Sequence, residues 1–152
     1  MKLIRYRAVD GQIRWGQETG HNLAVALAGD LYGALEPSGK VQHFAQRLAP
    51  LAPTNIFGIG LNYRQHAAES GMDFPKRPIV FMKPTIAVAD PDQPIEIPSC
   101  CDPEGEVDCE CELAVIIGRP AKTGRVEQAL EHVLGYTAAN DVSARKWQLQ
   151  QD

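Results

Sequence analysis

Residues 108–118 read Asp108-Cys109-Glu110-Cys111-Glu112-Leu113-Ala114-Val115-Ile116-Ile117-Gly118. Successive side chains of a β-strand point to opposite faces, so this run predicts one strand with two unlike sides. One side carries Glu110 and Glu112, and the other, which we expect to be core, carries Cys109, Cys111, Leu113, Val115 and Ile117. The two neighbouring carboxylates repel each other unless a cation lies between them, and a hard divalent cation takes oxygen ligands. The stretch therefore predicts a metal site, with an exposed acidic strand edge as the alternative.

The composition is that of an ordinary globular protein. The chain has 152 residues, 44% hydrophobic and 22% charged, which suits one domain or a small domain plus part of another. A net charge of −4 argues against a nucleic-acid surface. The sequence has no apolar run of membrane-spanning length and no signal-peptide core behind Met1. We therefore expect a cytoplasmic protein with no membrane and no nucleic-acid partner.

Four cysteines stand close together, at positions 100, 101, 109 and 111. A secreted disulfide framework would spread them along the chain. Zinc-binding cysteine pairs are normally separated by two to four residues, which these spacings fit poorly. We expect Cys109 and Cys111 to act as small buried hydrophobic residues. A cysteine-based redox or zinc protein remains a third interpretation.

The first part of the chain predicts a small β module. Strands are predicted at 2–8, 12–15 and 22–27, followed by a short helix at 41–48. Pro50 and Pro53 cannot continue a helix and indicate a linker. The predicted boundary therefore separates a small N-terminal domain, residues 1–52, from residues 53–152.

The second part is predicted to alternate short strands, short helices and loops. Strands are predicted at 55–61, 79–82, 108–118 and 135–141, and helices at 63–70, 126–134 and 142–150. Asn62 can cap the first of these helices and Gly71 can end it. Residues 84–105 contain five prolines and predict a loop, extended over 95–97. The fold class is therefore mostly β, of the α+β type.

Three motifs occur together in one order. They are residues 58–69 (Gly-Ile-Gly-Leu-Asn-Tyr-Arg-Gln-His-Ala-Ala-Glu), the acidic strand, and residues 135–148 (Gly-Tyr-Thr-Ala-Ala-Asn-Asp-Val-Ser-Ala-Arg-Lys-Trp-Gln), with Phe81-Met82-Lys83-Pro84 between the first two. This set resembles the fumarylacetoacetate hydrolase family, especially its bacterial acylpyruvase and 2-hydroxyhepta-2,4-diene-1,7-dioate isomerase-like members. The resemblance runs from about residue 55 to residue 152 and implies the first part of that family's mixed β-sheet roll.

The resemblance implies a metal site built from three carboxylates. Glu110, Glu112 and Asp141 match the family's ligand positions. Three oxygens on one side of a cation leave other positions for water and a chelating substrate, the arrangement that Mg²⁺ prefers. The expected cofactor is Mg²⁺, with Mn²⁺ or Ca²⁺ as alternatives.

The resemblance also implies residues for proton transfer. His66 and Glu69 are three positions apart and share one face of a helix. They match a His–Glu pair that activates water or moves a proton. Lys83 is a candidate for a positive charge beside the substrate carboxylate. The alternatives are an exposed surface pair and a solvated lysine at a strand end.

Arg145 and Gln148 match substrate-contacting positions of the family. They follow Asp141 by four and seven residues, which places all three on one helix face. Arg can bind a carboxylate through two hydrogen bonds, and Gln can orient an oxyanion or a water. The alternative is a solvent-exposed polar helix end. Gly58 and Gly60 do not form a nucleotide-binding loop, because Tyr63 stands where a third glycine is needed, so close backbone packing is expected.

The function implied is metal-dependent chemistry on 2-oxo or β-diketo acids through a metal-stabilised enolate. The outcome is hydrolysis of a C–C bond, with decarboxylation or isomerisation also possible. The resemblance further implies a homodimer and a longer parent protein, so we expect a truncated chain that is poorly active alone or needs a complementary C-terminal chain. The alternative is a non-catalytic, metal-stabilised fragment or assembly module that lacks the C-terminal half of the active site.

Overall fold

The computed structural model describes residues 1–101 and 106–149. Within those ranges the chain forms ten β-strands and two short α-helices, joined by loops and three short 3-10 helices. The mostly β fold class predicted from the sequence is confirmed. No helix in the described part of the chain is both long and apolar enough to cross a membrane.

The first four strands form a closed barrel in chain order. They are β1 (Leu3–Ala8), β2 (Ile13–Gly20), β3 (Leu23–Gly29) and β4 (Leu35–Leu48). The three predicted strands are confirmed, and β2 and β3 are longer than predicted. β1 pairs antiparallel with β2 from Leu3↔Gln17 to Arg7↔Ile13, and with β4 from Arg5↔Leu48 onward.

The predicted helix at 41–48 is wrong, because this segment is the end of β4. Phe44 and Leu48 are both buried, and a spacing of four positions brings two residues to one face of a helix and equally to one face of a strand. Pairing with β1 decides between the two: Leu48 lies opposite Arg5, and Phe44 lies opposite Ala8 across a β-bulge.

The chain divides into two compact units. One contains Met1–Ala24 and Val41–Gln93, and the other contains Val25–Lys40 and Pro94–Asp152. The predicted domain boundary after residue 52 stays a prediction. The buried cluster of the first unit consists of Ile4, Tyr6, Ala8, Ala24 and Phe44.

An antiparallel strand pair and a helix complete the first unit. β5 (Ile56–Gly60) pairs with β6 (Ile79–Lys83), and α1 (Arg64–Glu69) follows β5. These elements confirm the predictions for the region. Gly58 lies opposite Phe81, and a Cβ at Gly58 would stand 2.2 Å from the ring, so the close packing predicted for this glycine is confirmed.

The ends of α1 differ in how well they were predicted. Asn62 does not cap the helix, since the N-cap residue is Tyr63 and no side chain bonds the first turn. Gly71 adopts a φ of 64° directly after the C-cap residue Ser70, in the left-handed region that favours glycine, as predicted for the helix end.

The second unit contains two antiparallel strand pairs. β7 (Val107–Asp108) pairs with β10 (Ser143–Ala144), and β8 (Cys111–Ile117) pairs with β9 (Val133–Asn140). α2 (Arg145–Leu149) follows β10. The predicted helix at 142–150 therefore starts late, and Gln150 lies outside the described residues. Residues 95–97 form no strand.

The acidic stretch is two strands rather than the single predicted strand, with a break at Cys109 and Glu110. Side chains take over the backbone hydrogen bonds at the break. The Cys109 N–H donates to Asp108 Oδ1 (2.9 Å), and the Glu110 N–H donates to Asn140 Oδ1 (3.1 Å). The peptide groups are thus satisfied without continuous strand pairing.

The predicted helix at 126–134 is a 3-10 helix over Val126–His132, after which β9 begins. Val126 and Leu130 are 87% and 75% exposed, so the apolar stripe that suggested an α-helix buries little surface. The Gly118 N–H donates to the His132 carbonyl oxygen (2.8 Å), and Ile117 pairs with Val133. Because of these contacts, the last residues of the predicted helix belong instead to the β8–β9 hairpin.

The alternation predicted for β8 is present, but its apolar side is not core. Leu113, Val115 and Ile117 are 61%, 48% and 58% exposed, and Cys109 and Cys111 are exposed free thiols, so their assignment as buried residues is wrong. The partner strand β9 is equally open on this side, where Tyr136 lies opposite Val115. Alternation sets which residues share a face, but burial needs a layer that covers the face.

Candidate functional site

The pairing of β8 with β9 places Glu110 and Asp141 side by side. Cys111 lies opposite Asn140, so the residue before β8 meets the residue after β9. The Asp141 N–H donates to the Glu110 carbonyl oxygen at 2.9 Å, which continues the antiparallel pattern one step past both strands. Two of the three predicted metal ligands, distant in sequence, are therefore neighbours at one end of the hairpin.

Glu112 lies one strand repeat beyond Glu110, and the side chains of both residues are half-buried. All three carboxylates thus belong to the same end of the β8–β9 pair. Within residues 1–101 and 106–149, however, no group of three Asp, Glu, His or Cys side chains is arranged to hold a metal ion. Carboxylate oxygens suit Mg²⁺ in chemistry, and the backbone brings two of the three residues together, while the side chains do not converge on one point.

Arg145 explains part of that arrangement. Its guanidinium forms an ion pair with Glu110, and it donates to Asp108 Oδ2 from Nε (3.2 Å) and from Nη2 (3.0 Å). Nη1 donates to Gln148 Oε1 at 2.9 Å, so the structure brings the predicted pair Arg145 and Gln148 together. Arg145, the first residue of α2, therefore forms ion pairs with two carboxylates of the acidic stretch, those of Asp108 and Glu110.

The backbone fixes Arg145 in this place. Asp108 pairs with Ser143 between β7 and β10, and the Arg145 N–H donates to the Glu106 carbonyl oxygen at 2.9 Å. The Arg145 side chain is 26% exposed, and a charge-assisted hydrogen bond is stronger where water is partly excluded. Arg145 thus connects Asp108, Glu110 and Gln148 into one polar group, which we call the arginine cluster.

Sequence reasoning missed two members of this region. Asp108 was not among the predicted site residues, yet it accepts two hydrogen bonds from Arg145. Its spacing of two from Glu110, which in a strand places both on one face, was the available signal. Asn140 was assigned no role, although its side chain holds the Glu110 N–H.

The predicted proton-transfer residues belong to the first unit. His66 and Glu69 are both exposed on α1. Glu69 Oε1 accepts a hydrogen bond from Gln65 Nε2 (2.9 Å), and the hydrogen bonds and ion pairs found for the described residues include none between His66 and Glu69. The shared helix face is thus present without a formed pair. Lys83 is half-buried at the end of β6, opposite Ile56.

The cysteines are all free thiols. The Sγ atoms of Cys100 and Cys101 lie 3.9 Å apart, and the pKa of Cys101 is raised by burial and by its contact with Cys100. A raised pKa disfavours the thiolate, which is the form that attacks electrophiles and binds metals.

Comparison with known proteins identifies the family. Residues 55–152 match the family described as the C-terminal part of fumarylacetoacetate hydrolase. The chain belongs to the fumarylacetoacetate hydrolase family. The resemblance inferred from the three motifs is therefore confirmed, over the residues that contain all three motifs.

Two curated relatives illustrate the chemistry of this family. The chain is 43% identical over 117 residues to a mitochondrial oxaloacetate tautomerase of Xenopus laevis, covering 73% of the chain and 36% of that protein. It is 48% identical over 93 residues to a caffeoylpyruvate hydrolase of Neonothopanus nambi, covering 60% of the chain and 32% of that protein. Fumarylacetoacetate hydrolase relatives thus include a tautomerase and a hydrolase.

A solved structure of the family has the same fold. The 2-hydroxyhepta-2,4-diene-1,7-dioate isomerase of Mycobacterium marinum matches 97% of the chain with a TM-score of 0.78 and 32% identity, and the match covers 56% of that protein. The chain therefore spans about a third of the length of these curated relatives and just over half of the solved one.

Proposed function

We propose that the protein takes part in divalent-metal-dependent chemistry on 2-oxo or β-diketo acids. The observation that carries the proposal is the meeting of Glu110 and Asp141 at the end of the β8–β9 pair, with Glu112 on the same hairpin. The relatives support the substrate class, because oxaloacetate and caffeoylpyruvate are both 2-oxo acids. The relatives are longer, so the proposal concerns the activity to which this chain contributes.

Glu110, Glu112 and Asp141 are the residues that would hold the metal, which we propose to be Mg²⁺, with Mn²⁺ or Ca²⁺ as substitutes. When bound, such a cation acts as a Lewis acid that polarises a carbonyl oxygen and favours negative charge on it. The oxygens of three carboxylates form a ligand set of the chemical type that such a cation prefers. Glu110 would have to give up its ion pair with Arg145 in order to bind the metal.

Arg145 and Gln148 are proposed to position the substrate. A guanidinium can hold a carboxylate through two parallel hydrogen bonds, and Arg145 already bonds Gln148, so both side chains point into one small polar region. Gln148 would orient a polar oxygen of the substrate or a water. Lys83 is proposed to add positive charge beside the substrate carboxylate.

His66 and Glu69 are proposed to move the proton. An imidazole can take a proton from water or from the carbon next to a carbonyl near neutral pH, and a carboxylate at its other nitrogen fixes the tautomer. Glu69 would have to leave Gln65 to reach His66. Hydrolysis of a C–C bond, decarboxylation and isomerisation each need one such proton transfer, so these residues leave the choice among them open.

A non-catalytic assembly module is the second candidate. The observation that favours it is the exposed apolar side of β8, formed by Leu113, Val115 and Ile117. Under this interpretation the chain pairs with a complementary C-terminal chain or with a second copy and has no turnover alone. The cytoplasmic location remains a prediction, and one relative is named as mitochondrial.

The test is an assay of the 152-residue protein, of verified intact mass, with oxaloacetate and with an acylpyruvate, in EDTA and then in excess Mg²⁺. We expect Mg²⁺ to raise the rate of substrate loss. Glu112→Gln should weaken Mn²⁺ binding by at least about tenfold, since even indirect partners of metal ligands contribute that much. Glu127→Gln is the matched control, because Glu127 is an exposed glutamate whose ion pair is with Arg125. A rate that Mg²⁺ never changes would exclude the enzyme proposal and favour the assembly module.

A further inference from the structure

Within the arginine cluster, Arg145 forms an ion pair with Glu110, which is one of the proposed metal ligands. Arg145 pairs with Glu110 and Asp108 at once, and the same nitrogen, Nη2, contacts both carboxylates. In the described part of the chain no three potential ligands are arranged around a common point. Glu110 thus has a cationic partner of its own chain at the place where the proposed function needs it to face a metal.

We propose that Arg145 is an internal counter-ion that competes with the divalent cation for Glu110. In the metal-free protein the guanidinium neutralises Glu110, and on metal loading Glu110 leaves Arg145, which stays bonded to Asp108. This inference rests on the proposed function, because it assigns Glu110 to the metal. It adds that Arg145 already compensates the charge of Glu110 and that metal affinity depends on competition between the guanidinium and the metal cation for this carboxylate.

The geometry lets Arg145 give up one partner without losing its place. Nε and Nη2 both donate to Asp108 Oδ2, and Nη1 donates to Gln148. The backbone of Arg145 is held separately, through its N–H and the Glu106 carbonyl oxygen. Loss of the contact with Glu110 therefore leaves three side-chain hydrogen bonds and one backbone hydrogen bond.

A counter-ion of this kind has a physical reason. Asp108, Glu110 and Glu112 alternate along one acidic stretch, and Asp141 is bonded to Glu110 through the backbone. Carboxylates at close range repel one another unless a cation compensates their charge. An internal guanidinium lowers that repulsion before metal arrives. Any metal must then displace Arg145 from Glu110, so its apparent affinity is reduced by the strength of that contact.

The experiment measures Mn²⁺ affinity by titration calorimetry and by the EPR signal of free Mn²⁺, on the full chain. Arg145→Met should bind Mn²⁺ more tightly than the wild type by about tenfold, the equivalent of a contact of about 1.4 kcal/mol. Loss of any positive charge also favours a cation slightly. Arg125→Gln removes one charge from an exposed pair of the same unit and should change the affinity by less than about twofold.

Arg145→Lys separates contact from charge. Lysine keeps the positive charge but loses the planar fork that reaches two carboxylates together. Competition for Glu110 predicts that this variant also binds Mn²⁺ more tightly than the wild type, whereas a pure charge effect predicts no change. Circular dichroism of each variant checks folding, and Arg145→Lys provides the result if Arg145→Met does not fold.

A direct readout comes from the arginine itself. In ¹⁵N NMR spectra, the Nε–H signal of Arg145 should move on addition of Mg²⁺ to the wild type, while that of Arg125 should not. No Mn²⁺ binding by any variant would overturn the proposed metal site and this inference with it. Equal affinities for the wild type and both Arg145 variants would leave the metal site in place and overturn the counter-ion alone.

Discussion

Tyr6→Phe removes a single buried hydroxyl and tests how the N-terminal core is stabilised. Tyr6 is 0% exposed, and its ring centroid lies 5.4 Å from that of Phe44. Among the described residues its hydroxyl has no hydrogen-bond partner. An unpaired buried polar group costs about 1–3 kcal/mol, so the substitution should raise the free energy of unfolding by about 1–2 kcal/mol. For a chain of this size each kcal/mol corresponds to about 2–4 °C in Tm.

The measurement is urea and thermal unfolding at pH 7, with Tyr32→Phe as the matched control. Tyr32 is 57% exposed, so loss of its hydroxyl should change stability by less than about 0.5 kcal/mol. A Tyr6→Phe variant that is less stable than the wild type would refute the reasoning, since it would mean that the hydroxyl contributes a net favourable bond.

The same substitution has a pH signature. Burial raises the pKa of Tyr6 above its usual value, with Arg14 opposing the rise and Asp10 adding to it. Above about pH 10 the unfolded tyrosine ionises while the folded one keeps its proton. The folded state then holds more protons, so stability falls as pH rises through this window. Phenylalanine cannot ionise, and the advantage of Tyr6→Phe should therefore widen above pH 10.

Two further predictions concern other parts of the first unit. Gly58→Ala should lower the free energy of unfolding by about 1–3 kcal/mol, because its new Cβ would stand 2.2 Å from the Phe81 ring; urea unfolding beside Gly135→Ala, where a Cβ meets no atom within 4 Å, checks this, and equal losses would contradict it. Lys2 holds the pKa of Glu18 below its usual value. The stability from this pair is present above the unfolded pKa and is lost as pH falls through the folded one. Glu18→Gln should thus flatten the loss of stability at acidic pH, and an unchanged profile would count against it.

The sequence predicted strands well where short strand-like stretches are bounded by turns or loops. β1, β5, β6 and β9 were all predicted in this way. The helix predicted at 41–48 is wrong because apolar residues four apart suit both a helix and a strand, and the pairing of Leu48 with Arg5 made the choice. At 126–134 the apolar stripe is exposed, the segment forms a 3-10 helix over Val126–His132, and Val133 pairs with Ile117 in the hairpin.

The site was predictable as a set of residues but not as a set of contacts. The motifs named Glu110, Asp141 and Arg145, and the structure places these close together. The ion pair between Arg145 and Glu110 was not predictable, because the strand break at Cys109 and Glu110 depends on hydrogen bonds from side chains. The polarity of β8 was predictable, but which of its faces is covered was not, since that depends on a layer from elsewhere.

The hairpin of β8 and β9 places its connecting loop at one end and the acidic residues of the candidate site at the other. Residues 119–132 connect the two strands. The Gly118 N–H donates a hydrogen bond to the His132 carbonyl oxygen, which joins the two ends of this connection. Glu110 and Asp141 stand at the opposite extremity, a full strand length away. Insertions or deletions in the connecting loop can therefore accumulate during evolution without disturbing the acidic end, so this loop is a suitable place for engineered tags or cross-linking probes.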